Sequence, residues 1–179
     1  VLPDQRLVAT VMSNLGFERA WQQRGGTLDR TPVGDQHVHA AMVASGAGLG
    51  GEQSGHILSA SHGLCGDGVL TAVQLATLCH AQGISLSDWL DRSFQAYPQK
   101  LVNVRVIDRL RRKNWSACTA LTDAIASAEQ SMGETGRILV RASGTEPVLR
   151  VMVEAEQSDA VEHWTVHLAA VAEDHLNAA

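Results

Sequence analysis

The sequence predicts an α/β layered domain, a mixed sheet with helices, followed by a small α+β domain whose helices pack on a mostly antiparallel sheet. Three observations carry that prediction. Over the first ninety residues short apolar stretches alternate with helical periodicity and glycine-punctuated links, the pattern of a layered α/β unit. Tyr97-Pro98 then breaks the helical pattern, because proline disfavours helical geometry in the residue before it. Beyond that point two apolar runs flank a short polar turn, and a long helical pattern ends the chain.

In order, Arg6 to Met12 reads as a strand, and Asn14 stands where a helix N-cap would stand, ahead of Leu15 to Gln23 with Gly25 and Gly26 as the stop. Thr27 to Val33 reads as a second strand and Asp35 to Ser45 as a short helix. Gly46, Gly48, Gly50 and Gly51 then crowd together, a density that marks a loop. Ile57 to Ser61 is a short strand. Gly66-Asp67-Gly68 leads into a helix from Val69 to Gln82, whose apolar positions Val69, Ala72, Val73, Ala76 and Leu78 suit packing on a sheet, and Gly83 stops it. Ser87 to Ala96 is a further helix. With the boundary at Tyr97-Pro98, residues 1–97 form one domain and 98–179 the other. The second holds a strand (101–106), a helix (116–132), two strands around a turn (136–142 and 148–154) and a closing helix (158–175).

Composition bounds the function. Of 179 residues 45% are hydrophobic and 18% charged, which is ordinary for a folded globular chain and far from the signature of disorder. The net charge of −5 and the scattered cations, apart from Arg109, Arg111, Arg112 and Lys113, give no broad basic face, so neither nucleic acid nor an anionic membrane is an expected partner. That short basic run reads as a solvated helix face or loop. Cys65, Cys79 and Cys118 are odd in number and share no C-x-x-C spacing, which argues against a disulfide framework and fits a reducing cytoplasm. No apolar run long enough to span a bilayer and no leader pattern is present, so no membrane segment is expected. The chain begins at Val1 without an initiator Met, which fits processing or truncation alike.

Two constellations carry chemistry. Arg141-Ala142-Ser143-Gly144-Thr145-Glu146-Pro147, with Arg150 close behind, lies between two apolar strands. Hydroxyls, main-chain N–H groups and two guanidinium groups converging on a glycine-bearing turn are what a phosphate dianion needs. The same residues also make a plain hairpin turn with solvated arginines, since Ser, Gly and Thr are common turn residues. Gly50-Gly51-Glu52-Gln53-Ser54-Gly55-His56 sets a carboxylate, an amide, a hydroxyl and an imidazole among three glycines. Glu52 and Ser54 can hydrogen-bond vicinal sugar hydroxyls there. Taken alone this is equally a polar surface loop.

The spelling of these segments discriminates. R-x-S-G-T-E-P followed by an arginine resembles the phosphate-binding loop in the last domain of the α-D-phosphohexomutase superfamily, and G-E-x-S-G-H resembles the sugar-specificity loop of its third domain. Gln53 in the middle position is similar to the superfamily's glucosamine branch. Met12-Ser13-Asn14-Leu15-Gly16, Val33-Gly34-Asp35, Gly66-Asp67-Gly68 and Leu101-Val102-Asn103-Val104 fall in the family's order, so the resemblance covers essentially the whole chain as the third and fourth domains. It departs where relatives read V-G-D-R-Y-V: here Gln36 and His37 replace Arg-Tyr, with the loss of a positive charge.

The resemblance implies phosphate binding by Arg141, Ser143, Gly144, Thr145 and Arg150, and sugar binding by Glu52, Gln53, Ser54 and His56. It implies reversible interconversion of glucosamine 6-phosphate and glucosamine 1-phosphate through a phosphoserine and a 1,6-bisphosphate, with Mg²⁺ held by carboxylates. The family's serine loop and its D-G-D-x-D-R metal loop are both absent from this sequence. Ser59-Ala60-Ser61-His62-Gly63 imitates the former in the wrong place. No residue here is therefore expected to be catalytic and none to bind metal, and the N-terminal domains of the same protein are the implied partner, beside a phosphorylated hexosamine. The alternatives are a phosphomannomutase/phosphoglucomutase fragment and a free-standing sugar-phosphate-binding module. The histidine spacings, His37 with His39 and His62 with Cys65, do not gather the four ligands zinc needs. Trp21, Trp89, Trp115 and Trp164 read as packing residues.

Overall fold

The computed structural model describes residues 5–63 and 65–177, so Val1 lies outside it. The chain divides into two compact units, residues 1–96 and 97–179.

The first unit runs β1 (Arg6–Thr10), α1 (Leu15–Gln23), β2 (Thr27–Thr31), α2 (Asp35–Ser45), β3 (Leu49–Gly51), β4 (Ile57–Ser59), α3 (Gly68–Gln82) and α4 (Leu86–Asp91). Its sheet has the order β2-β1-β3-β4. β1 pairs parallel with both β2 and β3, while β4 returns antiparallel to β3, which gives the mixed sheet expected. Successive β1 residues point to opposite faces. Val8 joins Val38 and Met42 of α2, Ala47 and Leu58 in a small buried core on one face. The crossover β1–α1–β2 runs one way across the sheet and β2–α2–β3 the other. Right-handed connections therefore set α1 on the face opposite α2.

Helix ends follow the sequence signals. The Asn14 side chain accepts from Gly16 N–H at 2.9 Å, the Asp67 side chain accepts from Leu70 N–H at 2.9 Å, and Gly46 and Gly83 close α2 and α3 in the left-handed region. Ser85 and Asp88 form a reciprocal capping box on α4.

Three expectations need correction. The glycine-dense stretch is not a loop throughout, because Leu49–Gly51 is strand β3. A Cβ at Gly50 would come within 2.7 Å of Met42 Sδ and 2.8 Å of Val38 Cγ1, so the glycine lets α2 lie close on the sheet. Helix α3 is not packed on the sheet: none of its residues is buried, and Val69 is 77% exposed. Helix α4 stops at Asp91 rather than Ala96.

The second unit runs β5 (Gln99–Arg105), α5 (Arg109–Lys113), a 3-10 turn (Trp115–Ala117), α6 (Thr119–Met132), a second 3-10 turn (Gly133–Thr135), β6 (Gly136–Ala142), β7 (Val148–Ala155) and α7 (Ser158–Leu176). The basic run is thus a short helix, capped by Asp108, whose side chain accepts from Leu110 and Arg111 N–H. The three strands are antiparallel in the order β5-β7-β6, matching the α+β expectation. Val161, Thr165, Leu168, Ala172 and Leu176 are the buried stripe of α7, at helical spacing. They pack with Leu121 and Ala128 of α6 on Leu149, Val151 and Val153 of β7. Trp115 and Trp164 lean on this core. On the other face Glu154, fully buried, is paired with Arg137.

Candidate functional site

Parallel strands β2, β1 and β3 all end on one edge of the first sheet, and the chain direction across the sheet reverses between β1 and β3. In open α/β sheets the crevice at that reversal, outside the carboxyl ends of the strands, is where ligands bind. A hollow of about 360 Å³ lies there, lined by Thr10 at the end of β1 and Met12 beyond it, Val33 after β2, and Glu52, Gln53 and Ser54 after β3. Position alone would have marked Thr10, the last residue of a central parallel strand. The sequence reading passed over it.

The loop from Glu52 to His56 holds itself in shape. Glu52 N–H donates to the His56 carbonyl at 2.9 Å and Gly55 N–H to the Glu52 carbonyl at 3.0 Å, with Gly55 at φ 98°. The Glu52 carboxylate is only 9% exposed. Its Oε1 accepts from Gly34 N–H at 2.8 Å, and its Oε2 lies 3.5 Å from His56 Nδ1. Ser54 Oγ stands 3.1 Å from the same ring nitrogen. Gly66 leaves room for the imidazole, since a Cβ there would meet His56 Cδ2 at 2.8 Å. Glu52, Ser54 and His56 are thus brought together, while Gln53 is exposed and lines the hollow. The tie from Glu52 to Gly34 at the start of α2 was not foreseen from the sequence. Gln36 and His37, in the first turn of that helix, are exposed.

In the second unit β6 and β7 place Arg141 opposite Arg150 in register, with Ala142 opposite Leu149. Ser143 N–H donates to the Val148 carbonyl at 2.9 Å and closes the ladder. The Ser143 hydroxyl, 8% exposed, accepts from Glu146 N–H at 3.1 Å and fixes the turn. Arg150 pairs with Glu146 at 2.9 Å. Partial burial, and then the neighbouring Arg150 charge, hold the Arg141 guanidinium below its ordinary pKa. Gly144 and Thr145 are exposed at the tip. A Cβ at Gly144 would meet nothing within 4 Å and its φ is not positive, so the backbone path does not itself demand glycine.

The remaining candidates are elsewhere. Ser61 Oγ lies 2.8 Å from His62 Nδ1 in an exposed turn between β4 and α3. Among the described residues no three His, Cys, Asp or Glu side chains gather as a metal site. The three cysteines are free, and no described helix is long and apolar enough to cross a membrane.

Known proteins resemble this arrangement throughout. The chain is 94% identical over 178 residues to the phosphoglucosamine mutase of Synechococcus sp. (strain CC9605), covering 99% of this chain and 38% of that relative. It therefore spans less than two fifths of the length of such relatives. The crystal structure of Aspergillus fumigatus N-acetylphosphoglucosamine mutase in complex with GlcNAc-6P and magnesium superposes with a TM-score of 0.79 at 21% identity, over 96% of this chain and 39% of that one. A variant of the same fungal enzyme in complex with glucose 1,6-bisphosphate gives the same TM-score at 20% identity, over 97% and 39%. Residues 1–97 match the family described as phosphoglucomutase/phosphomannomutase, alpha/beta/alpha domain III, and residues 101–171 match its C-terminal domain. On these grounds the chain belongs to the phosphoglucomutase/phosphomannomutase family, as its third and last domains.

Proposed function

We propose that this chain is the sugar- and phosphate-binding portion of a phosphoglucosamine mutase, which interconverts glucosamine 6-phosphate and glucosamine 1-phosphate through a phosphoserine and a 1,6-bisphosphate intermediate. The observation that carries this reading is the 94% identity to a bacterial phosphoglucosamine mutase over nearly every residue present. Residues 1–97 take the sugar and 98–179 the phosphate. Glu52 and Ser54 hydrogen-bond ring hydroxyls, with Gln53 and His56 completing the contact. Arg141, Ser143, Gly144, Thr145 and Arg150 hold the phosphate that is not reacting. Such chemistry depends on positioning and on charge stabilisation, and both loops serve positioning.

The phosphoserine and the Mg²⁺ ligands belong, in this reading, to the N-terminal domains of the same protein, and the chain by itself turns over no substrate. Magnesium would neutralise phosphoryl charge where it binds. The mixed donor sets of the two loops, an amide, an imidazole, hydroxyls, guanidinium groups and two carboxylates that are both already engaged, do not suit it here. The free thiols and the phosphorylated substrate fit a cytoplasmic protein.

The test is substrate competition in the full-length enzyme. Glucosamine 6-phosphate should be converted in preference to mannose 6-phosphate and glucose 6-phosphate when all three compete. Preference for either neutral hexose would replace the reading by a phosphomannomutase/phosphoglucomutase. An upstream reading frame lacking a serine loop and a D-G-D loop would replace it by a free-standing binding module.

A further inference from the structure

The solvent side of α7 gathers side chains that neither loop uses. Opposite the buried stripe of this 19-residue helix, His163 and His167 stand one turn apart, both exposed. Their imidazoles are stacked, with ring centres 6.3 Å apart and planes within 5° of parallel. The Trp164 indole, partly buried against the core, is the wall beside them. It meets the His163 ring at 4.7 Å and 76°, and the His167 ring at 5.8 Å and 73°. One ring rooted in the core thus holds two imidazoles side by side. Among the described residues neither imidazole makes a hydrogen bond or an ion pair, so each keeps a nitrogen lone pair open to a ligand.

We infer that His163 and His167 chelate one first-row transition-metal dication, Zn²⁺, Ni²⁺ or Cu²⁺, with water completing its coordination. Neutral imidazole is the commonest ligand of such ions, and two histidines at i, i+4 on one helix face bind a single ion together. A metal–nitrogen bond of about 2.0–2.1 Å sets the centre of a bound imidazole ~3.2 Å from the ion, so two rings bound side by side have centres about 4.5–5 Å apart. The observed pair is wider by roughly 1.5 Å. Lone pairs lie in the ring planes, so the near-parallel rings must also turn toward one another. The terminal torsion of histidine is broad, and exposure leaves both rings room to turn. Contact with Trp164 already restricts the two side chains, which reduces the entropy lost on binding. Magnesium and calcium take oxygen ligands and are not the occupants, whereas nitrogen donors favour the later first-row ions. No third His, Cys, Asp or Glu gathers there among the described residues, so the site is open and exchanges its ion with solvent.

The site depends on neither the sugar loop nor the phosphate loop, so it stands whichever hexose phosphate is the substrate. Its test is titration of the full-length protein with Ni²⁺, saturating Mg²⁺ being present throughout, followed by calorimetry and tryptophan fluorescence. The parent should bind one Ni²⁺ equivalent that quenches Trp164 and raises the unfolding temperature, as any ligand of the folded state does. His163→Ala and His167→Ala, both at exposed positions, should each weaken that equivalent by about tenfold or more, because a single imidazole does not chelate. The double variant should lose it. Trp164→Phe should keep the equivalent bound and remove its quenching. Equal binding by the parent and the double variant would overturn the inference. So would an affinity in the parent no greater than in the single variants, which is the behaviour of two independent imidazoles. Quenching that survives Trp164→Phe would place the ion elsewhere and overturn it too. Binding by the 179-residue chain but not by the full-length protein would do the same, since the helix face would then be covered in the whole molecule.

Discussion

Arg141 and Arg150 face one another across the β6–β7 ladder, two guanidinium groups at the turn end of one hairpin. Like charges directly opposite destabilise a strand pair. Glu146 engages Arg150, whereas Arg141 keeps a pKa lowered by burial and by that same neighbour. A dianion bound at Ser143 to Thr145 would relieve the repulsion. Phosphate or sulfate should therefore raise the unfolding temperature, and Arg141→Ala should cancel the rise. Phosphosugar affinity should fall roughly tenfold to a hundredfold, since a charge-assisted hydrogen bond contributes about 1.5–3 kcal/mol. NMR titration with phosphate decides it: shifts elsewhere, with 141–145 and Arg150 silent, would remove the phosphate assignment.

Glu52 has a structural role as well as the proposed contact with sugar. Its carboxylate accepts from Gly34 N–H in a nearly buried setting, so it is not the exposed position a polar loop suggests. Glu52→Ala should destabilise the chain by about 1–2 kcal/mol in urea unfolding, and Glu52→Gln, which keeps the acceptor, by less. In the full-length enzyme both should lower kcat. Unchanged turnover with Glu52→Gln would leave Glu52 a loop strut only.

Gly50→Ala is expected to cost about 1–3 kcal/mol, the usual range for overpacking. The added methyl has backbone on one side, Val8 O at 2.9 Å, and the Met42 and Val38 side chains on the other. Chemical denaturation measures it. A neutral outcome would mean that α2 can lift from the sheet freely.

Arg137 and Glu154 form an ion pair on the face of β7 away from Leu149, Val151 and Val153, with Glu154 at 0% exposure and one of its oxygens unpartnered among the described residues. Glu154→Ala removes the fully buried member of this ion pair and should destabilise by about 3 kcal/mol. The double change to Leu at both positions should recover most of the loss, as measured by thermal unfolding. Equal losses in the single and double variants would show that packing and not charge matters there.

Asp88 gives a pH-dependent helix start. The Ser85 hydroxyl, and then the Ser85 backbone N–H, hold its carboxyl below the ordinary value. A depressed acid stabilises the folded helix above its unfolded pKa, and that contribution is lost as the pH falls through the lowered value. Amide protection at the start of α4 should fade below the ordinary carboxylate range and be insensitive to pH there in Asp88→Asn.

The legible parts of the sequence were those governed by local chemistry. Asn14, Asp67, Gly46 and Gly83 marked helix ends because a cap needs only its own turn. Arg141 to Thr145 stood out because a turn between two apolar strands brings its flanks together. What stayed hidden depends on neighbours distant in sequence. Gly50 and Gly51 looked like loop residues until α2 was seen lying on β3. Gly34 meets Glu52 only because β2 and β3 end on one edge. The apolar positions of α3 predicted a helix packed on the sheet, and periodicity cannot say that none of them ends up buried.

The place of β7 between β5 and β6 has a consequence for biosynthesis. β5, complete at Arg105, has no strand partner until Val148 onward has left the ribosome, and β6 is likewise unpaired until then. Every ladder bond of this sheet is thus late, and those between β5 and β7 are also non-local, which slows folding. Nascent chains that stop before Ala155 would carry two open strand edges and an uncovered helix face, the features that recruit chaperones or lead to aggregation.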